Sequence, residues 1–541
     1  MLLLITLGCR QEYHKEETEA VRKASAVLEA SERGYLEAAA RSQQAVKDFY
    51  SRPSWKEQWK EWFERQEDLM PLQYRQFSSL LYRSTGMAPD NASETDLRAM
   101  RDSLTQAPYL ADWNKDQSTA INSRSLRTKG LLFARAGRAL GDSSSQYLEE
   151  YAQLQNDFAS LGGYPNYYAY RADAYQRSGQ QMTEWRHELL LAVRPLMEEL
   201  HTWLRYELAK KYQNFPPEQI PVYWLNSWKG YEWFRESKGL SGMGKPIDGL
   251  ELKQLWQRQG GLLDSCGMPA LPESAVRLGA SPKGGLCQVR TFPSSPPEVR
   301  VDSMATGYSG WRAMLKARIE AQAIASSQNP DVPLLLQQPA CPAFIPAWQK
   351  GMEQLFNRRL LSIDSLKAQD STLMAQWERR LLLQEALQYI PKLVFYAGVV
   401  GDFEQSLYGG NLSASTYTPR WNTLMRQYLG INPNQESPED LPALLHKEAF
   451  LSGGAMDTTL SIAMQYQLQQ RLSLSDSTGR YFQRFFYPGA SLQWEEIYEE
   501  IEMASPDGEA LQMYFAPLLA WLEAQNARRP SVLPSWNLEE D

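Results

Sequence analysis

Residues 311–325 read WRAMLKARIEAQAIA. At about 100° per residue, Met314, Ala317, Ala321, Ile324 and Ala325 form one apolar strip, with Leu315 and Ile319 a little further round. That is the pattern of an amphipathic helix, and Lys316 and Glu320 are expected on its solvent side. Arg318 and Gln322, one turn apart, fall between the apolar strips, where a helix buries hydrocarbon. A cation on such a face needs a partner, because an unpaired buried charge costs several kcal/mol, of order ~3–5.

The same period recurs along the chain and makes the fold mostly α. It predicts one or two long helices over 16–50, broken by SRPSW at 51–55, and further helices over 55–83, 145–160, 183–212, 311–327, 344–368, 372–408, 455–472, 493–504 and 509–527. Strand signals are short: CQVRTF at 287–292 and EVRV at 298–301, separated by a Ser/Pro turn, predict a small β-ribbon. No internal repeat and no long polar linker divides the chain, so residues 10–541 read as one large helical domain, with lid-like helices over about 10–110.

With 541 residues, 43% of them hydrophobic and 11% aromatic, the chain can bury a very large core. A net charge of -8 without a Lys/Arg run argues against a nucleic-acid partner. Cysteines at 9, 266, 287 and 341 form neither a disulfide framework nor a zinc-knuckle spacing. The opening MLLLITLG followed by Cys9 and the polar RQEYHKEE has the order of a lipoprotein signal, which would lipidate Cys9, anchor the chain to a membrane and place it in a bacterial envelope. The basic start is missing and Thr6 stands where Leu is usual, so a frayed apolar terminus reads as well.

Common catalytic motifs are incomplete. GLSGMGKP at 239–246 has the glycine and lysine spacing of a phosphate-binding loop, but Pro246 stands where a magnesium-binding hydroxyl belongs. GYSGW at 307–311 is not a nucleophile elbow, and no histidine lies between 201 and 446 to serve it. HELLL at 187–191 starts like HExxH and then offers Leu191, so His187 reads as a structural residue. The four histidines, at 14, 187, 201 and 446, include no pair four apart.

Several blocks nevertheless resemble the angiotensin-converting-enzyme family of zinc peptidyl dipeptidases. MYFAPLLAWLEAQN at 513–526, followed by PSWN at 534–537, resembles its terminal helix. HTWLRYELAKKY at 201–212 keeps its His, Arg, Leu and Tyr spacing, and LGGY at 161–164 resembles its LNGY. DVPLLLQQPACPAFIPAW at 331–348 resembles the segment carrying its third zinc ligand, anchored at Asp331, Pro333, Leu336, Ala340, Pro342, Phe344 and Ala347. The resemblance implies a two-lobed helical zincin-like architecture with a deep central channel.

It also implies a site that has lost its tools. From Cys287 to Lys350 the resemblance runs without a gap, and it places Arg318 and Gln322 where two zinc-binding histidines belong and Ile319 where the glutamate base belongs. Pro346 takes the place of the carboxylate ligand, and Lys350 that of an aspartate behind it. Gln288 and Val289 replace a His-Ala pair that holds the peptide backbone. Glu448 replaces a histidine, Asp457 and Thr458 lie near a chloride-holding arginine and an oxyanion-stabilising tyrosine, and Ala455 lies at a substrate-gripping tyrosine. Cys287 keeps half of a family disulfide whose other half is Ala305 here.

Zinc needs donors with lone pairs, and a guanidinium offers only protons. The expectation is therefore a pseudopeptidase without zinc or other cofactor, whose channel takes a peptide or protein partner. Glu448 and Asp457 are the expected counter-charges for Arg318. The alternatives are an enzyme with rebuilt chemistry, drawing on Glu320, Asp331, His446, Glu448 and Asp457, and a structural subunit with a filled channel.

Overall fold

The fold is taken from a computed structural model that describes residues between 149 and 536, interrupted at 237–248, 281–284, 330–336, 365–370, 434–453 and a few shorter places. The helices expected over 16–50 and 55–83, and Cys9, Asp331, His446 and Glu448, lie outside the described residues. In chain order the helices are α1 Tyr167–Asp173, α2 Gly179–Tyr212, α3 Leu252–Asp264, α4 Gly307–Ser327, α5 Phe344–Asp364, α6 Ser371–Val394, α7 Gly401–Tyr408, α8 Tyr417–Leu429, α9 Gly454–Gln469, α10 Asp476–Phe486, α11 Trp494–Glu500 and α12 Glu509–Asn526. The strands are β1 Ile220–Pro221, β2 Val276–Leu278, β3 Cys287–Phe292, β4 Ser295–Val301 and β5 Ile431–Asn432. The mostly α reading holds. Helices α1, α3, α8 and α10 were not expected from the sequence; α3 carries a Gly-Gly pair and α10 a glycine, both of which weaken a helical signal.

Chain contacts divide the described residues into two compact units, each assembled from separated segments: those within 249–349 and 472–505 in the first, and those within 149–236, 350–471 and 506–536 in the second. In the first unit, β3 and β4 pair antiparallel with Cys287 opposite Val301 and Val289 opposite Val299, which is the expected ribbon extended back to Ser295. The short β2 adds to it in parallel, with Val276 opposite Val299. Val299 and Val301, two apart and so on one face of the strand, are fully buried. The other half of this core is aromatic: Phe344 and Trp348 of α5 meet Phe485 and Phe482 of α10 edge to face, with ring centroids 5.0 Å apart in both pairs.

The second unit is organised by α2. The helix begins before the expected residue 183 because Ser178 and Gln181 form a reciprocal capping box, Gln181 N–H to Ser178 Oγ at 3.1 Å and Ser178 N–H to Gln181 Oε1 at 2.8 Å. Its buried positions Leu189, Val193, Leu196, Leu200, Leu204 and Leu208 recur by threes and fours. The terminal helix α12 packs on it through Phe515, Leu518 and Leu522, and Asn526 Nδ2 donates to the Glu199 carbonyl at 2.9 Å. The expected single helix over 372–408 is interrupted by a π-helical turn at Phe395–Val400. There α7 approaches α2 closely, and a Cβ at Gly401 would fall 2.2 Å from Arg186 Nη1, so only glycine fits.

The HTWLRYELAKKY block has structural work to do. Arg205 donates to the carbonyls of Pro217 and Pro530, both at 2.7 Å, and Tyr212 to that of Trp224 at 2.9 Å. His201 is fully buried, with Nε2 3.2 Å from the Gly430 carbonyl, and burial pushes its pKa down to about 3. A value below the ordinary 6.5 means the folded protein holds the ring neutral, so its contribution to stability is present above 6.5 and lost as pH falls toward 3. A His201→Gln variant is expected to show a flatter loss of thermal midpoint over that acid range than the parent chain.

Candidate functional site

The face of α4 that carries Arg318 and Gln322 is buried, with the two side chains 8% and 3% exposed. Helix α3 covers it. Trp256, Gly260 and Asp264 lie four apart on α3, so they share one face. The Arg318 guanidinium sits 3.4 Å from the Trp256 ring centroid, its Nη2 donates to the Trp256 carbonyl, and a Cβ at Gly260 would be 3.4 Å from Nη1. Burial lowers the Arg318 pKa to about 10 while Asp264 acts to raise it. One turn on, Gln322 Nε2 donates to the Pro269 carbonyl at 2.6 Å. Both side chains therefore spend their N–H groups on backbone carbonyls of the segment that closes over them.

Of the two counter-charges expected for Arg318, Glu448 lies outside the described residues, and Asp457 is not its partner. The carboxylate whose charge it feels is that of Asp264, beyond salt-bridge distance, and the π face of Trp256 supplies the close contact. Asp457, on α9, acts instead on the charge of Arg171. Glu320 and Lys316 are half-buried rather than fully solvent-facing, and burial raises the Glu320 carboxyl above its ordinary range. The cause is that α4 is enclosed on most sides, with Met314, Leu315, Ile319, Ala321 and Ala323 all at 0% exposure.

The remaining expected residues scatter. Pro346 is half-buried in the first turn of α5. Gln288 is half-buried on β3 with its Oε1 buried and hydrogen-bonded to no other group. Lys350 Nζ donates to Ser461 Oγ on α9 at 2.9 Å, and Ser461 Oγ donates to the Thr458 carbonyl at 3.0 Å, so Lys350 and Thr458 are brought together through one hydroxyl. Cys287 is a free thiol, its pKa pushed up to about 12 by burial, and Ala305 is fully buried.

Compared with known proteins, the chain matches the profile of the angiotensin-converting enzyme family over residues 10–243 and 326–534. The chain belongs to the angiotensin-converting enzyme family. It is 28% identical over 172 residues to angiotensin-converting enzyme of Mesocricetus auratus and 27% identical over 171 residues to that of Rattus norvegicus. Each alignment covers 28% of this chain and only 13% of the relative. The family match passes over residues 244–325, the stretch that holds Gln288, Arg318, Ile319 and Gln322, and resumes just before Pro346 and Lys350. At the positions that the resemblance assigns to zinc ligands, the side chains are a poor set for that ion: Arg318 has no lone pair to give, Pro346 presents hydrocarbon, and only the Gln322 Oε1, buried and unbonded, is a lone-pair donor.

A second polar constellation, not foreseen from sequence, lies in the second unit beside the π-helical turn. Arg186, 1% exposed, donates to Asp402 Oδ1 at 3.0 Å, to the Tyr168 hydroxyl at 3.1 Å and to the Ala397 carbonyl. Tyr428 donates to Asp402 Oδ2, and His187 Nε2 lies 3.5 Å from Oδ1, so HELLL supplies a structural histidine. Burial works against the Asp402 carboxylate, but His187, Arg186 and Tyr428 outweigh it and hold its pKa below the ordinary value. Glu404, two residues on, is pushed up to about 7 by burial, which the charges of Arg171 and Arg186 only partly oppose. These residues are separated by about 200 positions in sequence, and nothing in their local pattern sets them apart from surface charges.

Two outcomes follow from this geometry. In a double-mutant cycle of Arg318→Met and Trp256→Leu, read by denaturant unfolding, the coupling is expected at about 1–2 kcal/mol, the range of a desolvated cation–π contact; additive effects would show that the stacking contributes nothing. For Glu404, a folded value of about 7 against 4.5 unfolded means stability is full below 4.5 and is lost as pH rises to 7. Glu404→Gln should abolish that part of the stability–pH slope.

Proposed function

We propose that this chain is a pseudopeptidase, a member of its family that keeps the helical scaffold without the zinc peptidyl-dipeptidase reaction. The observation that carries the reading is the fate of the helix face at Arg318 and Gln322: each side chain turns an N–H donor to a backbone carbonyl, of Trp256 and of Pro269, and the guanidinium stacks on the Trp256 ring. A zinc hydrolase needs ligands, a general base and a donor for the developing oxyanion. Here Arg318, Gln322 and Pro346 stand at the ligand positions, Ile319 at that of the base, and Asp457 and Thr458 near that of the oxyanion donor. The loss of one ligand could be answered by another metal; the joint loss of every part leaves no step of the reaction supported.

The role that remains is recognition. The protein binds a peptide or protein partner, anchored at a bacterial envelope through lipidated Cys9. The half-buried Gln288 amide, at a former substrate-holding position, and the Ser461-bound ammonium of Lys350, at that of the aspartate behind the zinc ligand, keep polar function. A purely structural subunit is the second reading, and the closure of the Arg318 face by α3 favours it over an enzyme with rebuilt chemistry.

The test pairs metal analysis of purified protein with an assay for C-terminal dipeptide release from a short peptide. Substoichiometric zinc and no dipeptide above background are expected; stoichiometric zinc together with cleavage would end the proposal. Mass spectrometry of the mature N-terminus separately decides whether Cys9 carries lipid.

A further inference from the structure

In the second unit, α5 and α9 face each other through side chains at one-turn intervals. On α9, Ser461 accepts from Lys350 Nζ and Gln469 Nε2 donates to the Gly351 carbonyl at 2.5 Å, so the Ser461–Gln465–Gln469 row is turned toward α5. Gln465, between them, is 0% exposed, and neither its Nε2 nor its Oε1 is hydrogen-bonded to any protein atom. On α5, Gln354 is one turn beyond Lys350 and 2% exposed, and both of its amide atoms are likewise unbonded. Gln354 lies against the Tyr466 hydroxyl and opposes the rise in its pKa that burial causes, and that buried hydroxyl closes no hydrogen bond of full geometry.

The site extends to α6 and α12. The Tyr466 ring lies 4.9 Å from that of Tyr514, whose hydroxyl donates to Glu385 Oε2 at 2.5 Å and accepts from Arg358 at 2.8 Å. Glu385 is 5% exposed, and its Oε1 is a further buried acceptor with no protein donor. Two whole amides, a phenol and a carboxyl oxygen thus go unpaired within one seam of four helices. Buried polar groups are otherwise almost always bonded. The set contains donors and acceptors together, and an occupant that satisfies it must both donate and accept.

We infer that the seam between α5, α6, α9 and α12 is a hydrated binding site, in which ordered water molecules bridge the amides of Gln354 and Gln465, the Tyr466 hydroxyl and the Glu385 carboxyl. Water meets the requirement, since one buried molecule makes about three hydrogen bonds to polar groups of this kind. The site is independent of the pseudopeptidase reading, because none of these four residues stands at a former catalytic position. Burial first, with Glu353 adding to it against Tyr514 and Arg358, pushes the Glu385 pKa up to about 7, and the bridging waters give that enclosed carboxyl a route for proton exchange.

A crystal structure of the full chain, at a resolution that shows ordered solvent, is expected to place water within hydrogen-bond distance of Gln354 and Gln465. A direct bond between the two amides, or from each to Tyr466, with no solvent between them overturns the inference. Thermal unfolding gives a second reading. If waters bridge the seam, Gln354→Leu and Gln465→Leu each strand a bonded water and lower the midpoint. In a dry seam each substitution removes an amide that bonds to nothing and raises it, which would equally refute the site.

Discussion

A guanidinium and a dication cannot share one place, and the functional reading depends on which of the two the enclosed face of α4 is built to hold. Arg318 keeps its charge there because the Trp256 ring lies under it at 3.4 Å, the Trp256 carbonyl accepts from it, and Gly260 leaves room for its second nitrogen. Removing the cation would leave the Trp256 carbonyl without that donor, while Gln322 closes the Pro269 carbonyl one turn on. The constraint is thus mutual: α3 is shaped around Arg318, and Arg318 is tolerable only because α3 is there. A lone substitution at a ligand position reads as drift, whereas a substitution with its own packed receptor is part of the fold.

The segments that carry the family likeness serve packing rather than chemistry in this chain. His201, Arg205 and Tyr212 tie α2 to the Gly430, Pro217, Pro530 and Trp224 carbonyls, and α12 lays Phe515, Leu518 and Leu522 against it. What these retained residues hold is backbone, and through it the placement of α2 against its neighbours.

The buried ionisable groups pull stability in opposite directions. His201 is held neutral and penalises acid, while Glu404 and Glu385, both pushed up to about 7 by burial, penalise ionisation as pH rises. The Asp402 carboxylate stays charged beside Arg186, His187 and Tyr428, and the difference from Glu404 is one of partners rather than of depth. The two windows overlap between 4.5 and 6.5, where the loss from His201 shrinks as pH rises while that from the glutamates grows, so across the mildly acid range the groups oppose each other.

The periodicity of WRAMLKARIEAQAIA and its counterparts was enough to determine a mostly α chain, the β3–β4 ribbon and the oddity of Arg318 and Gln322 on an apolar face, because spacing along a helix or strand is a local property. The family, too, was legible in blocks such as MYFAPLLAWLEAQN. What the sequence could not settle was the company those residues keep. That Arg318 stacks on Trp256, 62 residues away, that Arg186 meets Asp402, and that the amides of Gln354 and Gln465 are buried unbonded, are all products of helices distant in sequence. Contact across such separations is decided by tertiary packing, and a single sequence carries no local signal of it.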